Sequence, residues 1–246
     1  MLNVETDVTV GPILKKMADS AGVVYTVSAG DEPGAIKELY DFAEGMGLEV
    51  LVAGKGKNNP MDIEATPDTV REKAAKQNMS ARMLASFVDG TKTMIEMTAV
   101  SNATGLLPSK RGMIGPKATV KELPSVLSLK EQGGILDRYH VVEYVHGIAP
   151  GVFVIVTSKL EAIKEEMKYL SMGEGPNYVL YRPYHLASME TPLSIARAFF
   201  YKEPTIAPIG APVSETVAVA KKDLKAGEHL DYIGGYTVYG VIDTFE

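Results

Sequence analysis

Lys92 and Glu96 are the side chains in this sequence whose types and spacing point most directly to chemistry. They lie four positions apart in a helical pattern and therefore share one face, while Asn102 projects at another angle. Apolar residues spread around the whole circumference of this helix, as in a helix enclosed by protein. A charge placed there must meet an opposite charge, a ligand or water. The pair is either a structural ion pair or part of a functional site.

A short basic stretch, Gly54–Pro60 (GKGKNNP), follows a predicted buried strand. Its two glycines allow close backbone approach, Lys55 and Lys57 supply positive charge, and Asn58 and Asn59 supply amide groups. A loop of this composition suits an anionic group such as a phosphate or a carboxylate. It lacks the spacing of a Walker A loop, because no Ser or Thr follows the lysine. A solvated charged loop is the alternative.

Four acidic residues stand where a ligand could approach. Asp31 and Glu32 lie in a turn that ends a predicted strand and opens a helix, which is where open α/β sheets bind ligands. A plain turn rich in Gly and Pro is the alternative. Glu5 and Asp7 could act as bases or bind a divalent cation, although acidic residues are also common at the start of a helix.

His185 is the histidine placed best for a site, because it lies with Arg182 and Tyr184 where a predicted strand passes into a loop. A hydrogen-bonded surface histidine is the alternative. The histidines show no spacing typical of metal ligands, so the sequence predicts no His-based metal site. They are His140, His146, His185 and His229.

The first part of the chain supplies the elements that position these residues. Predicted helices and strands alternate there, and this alternation predicts parallel βα units. Helices are predicted over Val10–Ser20 and Pro33–Met46, and apolar strands over Gly22–Ala29 and Leu48–Ala53. A further helix is predicted from Thr66 towards Phe87, with a break near Gln77. The helix that carries the charged pair spans Gly90–Thr104, with Asp89 as its N-cap and Gly105 as its stop.

The second half of the chain predicts a mixed or antiparallel sheet. Strands are predicted over Tyr139–Val145 and Val152–Thr157, and the short connection between them predicts a hairpin. The other predicted elements are two helices, Lys159–Leu170 and Thr191–Tyr201, and three strands, Asn177–Tyr181, Glu215–Ala220 and Tyr236–Ile242. The fold class expected from all these patterns is α/β (α+β).

Composition excludes several classes of protein. A chain of 246 residues with a net charge of −6 has no basic footprint for nucleic acid, and no apolar run approaches the length of a membrane span. The absence of Cys excludes disulfides, thiolate metal ligands and a cysteine nucleophile. We expect a cytoplasmic location. The sequence contains no G-x-G-x-x-G, G-x-S-x-G or H-E-x-x-H motif.

Several long stretches of the chain carry a family resemblance. They are NVETDV from residue 3, AGVVYTVSAGDEPG at 21–34, AGKG at 53–56, ATPDTV at 65–70, SFVDGTK, IEM and SNATGL within 86–106, RGMIGP at 111–116, APGVFVIVTS at 149–158, PLSIARA at 192–198 and KKDLKAGEHLDYIGGYTVYG at 221–240. Together they resemble the deoxyxylulose-phosphate-reductoisomerase-like family, which is related to homoserine dehydrogenase. The likeness extends over almost the whole chain, and its last block is similar to part of a SAF-type (antifreeze-like) module.

The resemblance implies a Rossmann domain, a central catalytic domain and a C-terminal SAF-like module, with NADP or NAD as cofactor and a divalent cation used in one branch. No dinucleotide fingerprint precedes Leu2 and the SAF-like block stops early. We therefore expect either a fragment or a chain whose coenzyme-binding half lies on another polypeptide. The expected division is a remnant of a Rossmann-like coenzyme domain over 1–53, a mixed-sheet catalytic domain over 54–203 and a partial SAF-like β module over 204–246.

Placement, rather than the resemblance, gives each residue its expected role. Lys92 acts as general acid or base, Glu96 tunes its pKa, Asn102 orients the substrate, and Lys55 and Lys57 hold an anionic group. The expected catalytic residues are Lys92, Glu96, Lys55, Asn102 and His185, the substrate-binding residues Lys57, Asn58, Asn59 and Arg182, and the cofactor-binding residues Asp31, Glu32 and Glu5, with no metal ligand.

The expected function is the catalytic portion of an NAD(P)-dependent oxidoreductase acting on a small hydroxy or keto substrate, either free or phosphorylated. By resemblance this includes a reductoisomerase of isoprenoid precursor synthesis. The rival is a non-catalytic ligand-binding or assembly subunit that uses the SAF-like end. The expected partners are a small-molecule substrate and either further copies of the chain or a separate coenzyme-binding chain, with no nucleic acid and no membrane.

Overall fold

A computed structural model describes residues 3–245, which form eight α-helices and seven β-strands and confirm the α/β class. No helix within these residues is both long and apolar enough to span a bilayer. The helices are α1 (Val4–Ser20), α2 (Glu32–Gly45), α3 (Arg71–Lys76), α4 (Ala81–Val88), α5 (Thr91–Thr104), α6 (Leu123–Val126), α7 (Glu161–Tyr169) and α8 (Thr191–Tyr201). The strands are β1 (Glu49–Lys57), β2 (Leu107–Pro108), β3 (Val141–His146), β4 (Val152–Thr157), β5 (Asn177–Arg182), β6 (Ser214–Ala220) and β7 (Val238–Thr244).

Five strands form a mixed sheet in the order β2-β3-β1-β4-β5. The central strand β1 pairs with β3 in parallel and with β4 in antiparallel orientation. The hairpin predicted from the short connection between β3 and β4 is therefore wrong, because β1 lies between them. Strands β6 and β7 form a separate antiparallel hairpin.

The basic stretch predicted as a loop is the end of β1, because this strand continues to Lys57. Side chains alternate between the two faces of a strand. A Cβ atom on Gly54 would collide with the Phe153 ring, and one on Gly56 would collide with neighbouring backbone, so glycine permits close packing on one face. Lys55 and Lys57 consequently project to the opposite face. The predicted domain boundary between residues 53 and 54 falls within this strand.

The strand predicted over Gly22–Ala29 is absent from both sheets of the described chain. Its only bridge joins Val27 to Ile206. Val27 packs with Val4 and Ile206 in a cluster between α1 and α5. An extended segment buried in this way has the same apolar, β-branched composition as a strand, so the pattern could not separate the two. The helix predicted from Thr66 is two short helices, α3 and α4, with the break where it was predicted.

Helix α5 is enclosed by protein, as its residue pattern predicts. Met94, Met97 and Val100 pack with α2 and the sheet, while Ile95 and Ala99 pack against α1. Asp89, predicted as the N-cap, lies two residues before the helix, and its Oδ1 accepts the Thr91 N–H at 2.9 Å. The cap position itself is Gly90, in a left-handed conformation. The helix is a rigid support for whatever its side chains do.

Asn102 fastens α5 to the hairpin of β6 and β7. Its Oδ1 accepts the backbone N–H groups of Val213 at 2.8 Å and Ser214 at 3.1 Å, and its Nδ2 donates to the Ser214 carbonyl at 3.1 Å. These bonds use the carboxamide oxygen and one of the two N–H groups of Nδ2. We therefore propose a structural role for Asn102 in place of the predicted role of orienting a substrate.

Replacing Asn102 with Ala should lower the free energy of unfolding by about 2–3 kcal/mol, because two backbone N–H groups of the hairpin lose their acceptor. Urea unfolding of the variant measures this loss. The exposed Asn58, replaced by Ala, is the matched control and should change the value by less than about 0.5 kcal/mol. Equal stability of the two variants would contradict the structural role.

Candidate active site

An open cavity of about 630 Å³ lies beside the end of β1 and is bordered by residues of α2, α4 and α5. Its volume is in the range of small-molecule sites. Nine of the expected site residues line it: Asp31, Glu32, Lys55, Lys57, Asn58, Asn59, Lys92, Glu96 and His185. The structure thus brings together residues that are up to 154 positions apart in the sequence.

Lys55 is the centre of a buried ion cluster. Its Nζ donates to Glu32 Oε1 at 2.7 Å and to Glu96 Oε2. The three side chains come from β1, the first turn of α2 and α5, so the cluster joins three elements. Lys55 is 5% exposed and Glu96 is 3% exposed. Charges buried to this extent are tolerated only because each has an opposite charge within hydrogen-bond distance.

Burial and mutual charge set the protonation of this cluster. Burial raises the pKa of Glu96 to about 7, with Glu32 adding to the rise and the Lys55 ammonium opposing it. Burial acts in the same direction on Glu32, but Lys55 and His185 outweigh it and lower its pKa to about 2. Burial disfavours the charge of Lys55, yet the two carboxylates raise its pKa. Lys55 therefore stays a cation, and Glu96 is the member that exchanges a proton near neutral pH.

The raised pKa of Glu96 makes stability depend on pH. Because the folded pKa of about 7 lies above the ordinary value of 4.5, the stabilising contribution of the neutral carboxyl is complete below pH 4.5 and is lost as the pH rises through about 7. We expect the free energy of unfolding of Glu96→Gln to fall less than that of the wild type over this interval. Urea unfolding at several pH values measures the slopes. Exposed Glu131→Gln is the control; if Glu96→Gln shows the wild-type slope, another group is responsible.

Lys57 differs from its neighbour on the strand. Its Nζ donates to the Phe87 carbonyl at 2.5 Å, and none of the ion pairs within residues 3–245 includes it. Burial lowers its pKa to about 8, and repulsion by Lys55 contributes. A lysine whose pKa lies near the working pH can donate and accept a proton. The two-residue spacing of Lys55 and Lys57 is the sequence feature that could have indicated their common site, because residues two apart on a strand project to the same face.

Lys92, the residue predicted as general acid or base, is held as a cation. Its Nζ donates to Glu5 Oε1 at 2.6 Å and lies 3.9 Å from Glu96 Oε1. Burial opposes its charge, but Glu96 and Glu5 raise its pKa. A lysine with a raised pKa is a poor proton donor at neutral pH, and it suits binding of an anion better. Glu5, predicted to bind cofactor, is its ion-pair partner and does not line the cavity.

His185 and Asp31 complete one side of the cavity. His185 Nδ1 lies 3.0 Å from the Gly30 carbonyl, and its Nε2 lies 3.4 Å from Glu32 Oε1. The ring therefore connects the turn before α2 to the ion cluster. Burial raises the pKa of Asp31, while the Lys92 ammonium opposes the rise. Because Glu32 contacts Lys55 and His185, we propose that it acts as their charge partner in place of the predicted cofactor-binding role.

Arg182 does not reach the cavity. Its guanidinium donates to Glu38 at 2.8 Å and to Glu190 at 2.7 Å, and it lies 4.9 Å from the centre of the Tyr184 ring. Glu190 also accepts the Leu186 N–H at 2.9 Å, so these bonds fix the segment that carries the cavity histidine. We therefore propose that Arg182 is a structural support, in place of the predicted substrate-binding role.

No group of three or more acidic or histidine side chains in the described range 3–245 is arranged to hold a metal ion. Asp7, considered as a base or cation ligand, is buried and accepts the Tyr25 hydroxyl at 2.7 Å. Burial raises its pKa. It does not line the cavity.

The cavity therefore offers three kinds of group to a ligand. Lys57 can transfer a proton, Lys55 provides a fixed positive charge beside it, and Lys92 can bind an anion. Two adjacent amides, Asn58 and Asn59, lie at the same end of the strand. A fixed charge next to a proton-transfer group is an arrangement that stabilises an oxygen as it gains or loses negative charge.

The catalytic domain described as oxidoreductase DRL is the protein family whose model matches this chain, over residues 30–191. This range includes every residue that lines the cavity. None of the curated proteins matches the chain.

Proposed function

The chain belongs to the family of DRL oxidoreductase catalytic domains, and from that premise we propose that its cavity performs the substrate half of an NAD(P)-dependent hydride transfer. The substrate is a small hydroxy or keto acid. One observation carries the proposal: Lys55 and Lys57 line the same cavity from one face of β1, and Lys55 bonds two carboxylates whereas Lys57 bonds a backbone carbonyl. Interconversion of a carbonyl and an alcohol needs both a stabilised oxygen and a proton.

Lys57 is the proposed proton-transfer residue. In the direction of reduction its ammonium gives a proton to the carbonyl oxygen, and in the direction of oxidation its neutral amine takes the hydroxyl proton. Its only described hydrogen-bond partner is a carbonyl, so it has further donor positions for a substrate oxygen. The hydride itself is supplied or accepted by the nicotinamide when that cofactor is bound.

Lys55 holds the reacting oxygen. Its ammonium has three N–H groups, and two of them bond Glu32 and Glu96 within the described chain. The remaining N–H is available to an oxygen that becomes negatively charged. Because the cluster is buried and already arranged, this stabilisation needs little reorganisation during the reaction.

The anionic end of the substrate binds at Lys92, with help from the amides of Asn58 and Asn59. A carboxylate suits the cavity better than a phosphate, because Glu96 and Glu5 already offset much of the charge of Lys92. A phosphorylated keto substrate, as in a reductoisomerase, is the second possibility to be tested.

The nicotinamide end of the coenzyme fits this open cavity, but the described residues provide no cradle for its phosphates. Two of the acidic residues predicted to bind it, Glu5 and Glu32, are occupied by lysines, which leaves Asp31 at the cavity wall. We propose that the phosphates of the dinucleotide are held outside the described residues, by a Rossmann domain of the kind that the resemblance implies. On this proposal the catalytic domain extends over the family match, residues 30–191, and residues 204–246 are SAF-like.

Calorimetry with substrate analogues tests substrate binding without coenzyme. A keto acid bound beside Lys57 should raise the pKa of its amine, so binding should take up a proton near pH 8. Titration of short-chain 2-oxo acids and their phosphorylated analogues, in two buffers of different ionisation enthalpy, measures this uptake. Lys57→Met should bind with no proton uptake. If neither class of compound binds, the substrate assignment is wrong.

Hydride transfer is tested by the absorbance of NADPH or NADH, supplied to the chain alone and together with any polypeptide that co-purifies with it and carries a dinucleotide fingerprint. We expect oxidation of the coenzyme that depends on the keto acid. Binding of the keto acid without coenzyme oxidation in either setting would favour the rival, a ligand-binding or assembly subunit.

A further inference from the structure

Residues 221–237 connect β6 to β7, and we call them the hairpin connection. All of them are described, and they form neither a helix nor a strand. Irregular loops longer than about 15 residues are uncommon within a domain and are usually functional. This connection packs on α4, which contributes Leu84 and Phe87 to the cavity. A Cβ atom on Gly234 would lie 1.9 Å from the Arg82 carbonyl oxygen, so the two backbones are in direct contact.

Lys221, the first residue of the hairpin connection, is buried with an opposite charge. Its Nζ donates to Asp89 Oδ2 at 2.7 Å, to the Gly235 carbonyl at 3.2 Å and to the Ala65 carbonyl. The Lys221 and Asp89 side chains are 3% and 0% exposed. An ammonium has three N–H groups, so all of them are used within the protein. Lys221 therefore fastens the hairpin connection to two other segments of the chain.

Asp89 links this ion pair to the cavity. It lies between α4 and α5, in a joint that we define as residues 87–91. Its Oδ1 accepts the Thr91 N–H at 2.9 Å, so both oxygens of the carboxylate are bonded. At the other end of the joint, the Phe87 carbonyl accepts a hydrogen bond from Lys57 Nζ at 2.5 Å. The group that holds Lys57 thus belongs to the same short joint that the buried ion pair holds.

We propose that Lys221 is a positioning residue: through its ion pair it holds the joint, and the joint keeps the Phe87 carbonyl in contact with Lys57. Every residue that lines the cavity falls within 31–185, so the hairpin connection acts on the cavity only through these contacts. This role rests on the proposed function, in which Lys57 transfers the proton. It gives the C-terminal hairpin a part in placing that lysine.

Charge gives the joint a second effect on Lys57. Burial and then repulsion by Lys55 lower the pKa of the Lys57 amine to about 8, and the Asp89 carboxylate opposes them. Lys221 supplies the counter-charge that a carboxylate buried to this extent needs. Loss of the Asp89 charge should therefore lower the pKa of Lys57. The titratable groups around Lys57 are Lys55 on β1, His146 on β3, Lys73 on α3, Glu96 on α5 and Asp89 in the joint.

The double variant Asp89→Asn, Lys221→Met removes both charges of the pair and leaves neither of them buried alone. In urea unfolding it should therefore be closer to the wild type than Lys221→Met is. We nonetheless expect the pKa of Lys57 to fall by roughly half a pH unit or more. NMR of lysine labelled with a carbon isotope at Cε measures this pKa, and the signal lost in Lys57→Met identifies the residue. Lys222→Met is the control, because the Lys222 side chain is 49% exposed, and it should leave the pKa of Lys57 unchanged. A wild-type pKa of Lys57 in the folded double variant would overturn the proposal.

Kinetics with a keto acid and coenzyme give a second readout. Lys221→Met should lower kcat per folded molecule by about 10-fold or more, because a displaced proton-transfer group is misaligned with the substrate. KM should change by less than about 2-fold, since the groups that bind the anion are untouched. Lys221→Arg keeps the charge and the ion pair, so it should recover part of kcat. Wild-type kcat in folded Lys221→Met would contradict the positioning role. If the wild type itself turns over no keto acid, the proposed function fails, and the pKa of Lys57 in the double variant still decides whether Lys221 positions it.

Discussion

Lys57→Met should lower kcat by about 10²–10⁴-fold at pH 7, the range contributed by a positioned proton-transfer group. Methionine has a similar length and keeps the side chain in the cavity but cannot carry a proton. We expect the fold to persist, because Lys57 has no carboxylate partner in the described chain that would be left uncompensated. Coenzyme absorbance gives kcat, and circular dichroism and urea unfolding check the fold.

Two further variants separate proton transfer from simple charge. Lys57→Arg keeps the positive charge but cannot deprotonate. We therefore expect its kcat in the direction of oxidation to be as low as that of Lys57→Met. The exposed Lys76, replaced by Met, should retain wild-type kcat. Full activity in Lys57→Arg would show that the amine supplies charge alone.

Lys55→Met should lower the free energy of unfolding by about 3–5 kcal/mol, the largest loss of stability that we expect in this chain. The substitution leaves Glu32 and Glu96 buried side by side without their shared cation. One of the two carboxyls must then take up a proton in the folded state. Urea unfolding at pH 7 measures the loss, and a smaller loss at acid pH should reveal the proton uptake.

The double variant Lys55→Met, Glu96→Gln is the matched control for this interpretation. It removes the repulsion between two carboxylates, so it should recover part of the stability lost in Lys55→Met. Strict additivity of the two single changes would mean that the pair does not interact in the folded protein. Catalysis should fail in both Lys55 variants, because the reacting oxygen loses its cation.

The enclosed helix α5 could be predicted because its pattern is local. Apolar residues around a full circumference, an acidic residue before the helix and a glycine after it describe a buried helix without any tertiary information. Most members of the cavity were also predicted, because Lys, Glu and His stand out where a sequence is otherwise apolar. What the sequence could not show is which charges are partners.

Lys92 illustrates that limit. Its nearest predicted partner was Glu96, one helical turn away, but its closest contact is Glu5 at 2.6 Å, 87 positions earlier in the chain. Glu96 on α5 in turn accepts a hydrogen bond from Lys55 on β1. Partner choice of this kind depends on tertiary packing, and it is the reason that we propose Lys57, instead of Lys92, for proton transfer. Asn102 and Arg182 were likewise assigned to the site from residue type, whereas the fold uses both as supports.

Strand assignment failed for a different reason. The segment Gly54–Lys57 has the glycines and charges of a loop, yet it is the buried end of the central strand. The glycines are required by close packing on one face, which no local pattern reveals. Conversely, the apolar run that includes Val27 has the composition of a strand but lies outside the sheet. In both places tertiary contacts override local propensity.

The pH dependence of kcat/KM, measured in both reaction directions, tests the central role of Lys57 most directly. With a pKa of about 8, the ammonium that donates a proton in reduction is lost above that pH, so reduction should fall above about pH 8. Oxidation needs the neutral amine and should rise through the same pH. Lys57→Arg should abolish the dependence in both directions. Midpoints that persist unchanged in Lys57→Arg would contradict the assignment of proton transfer to this lysine.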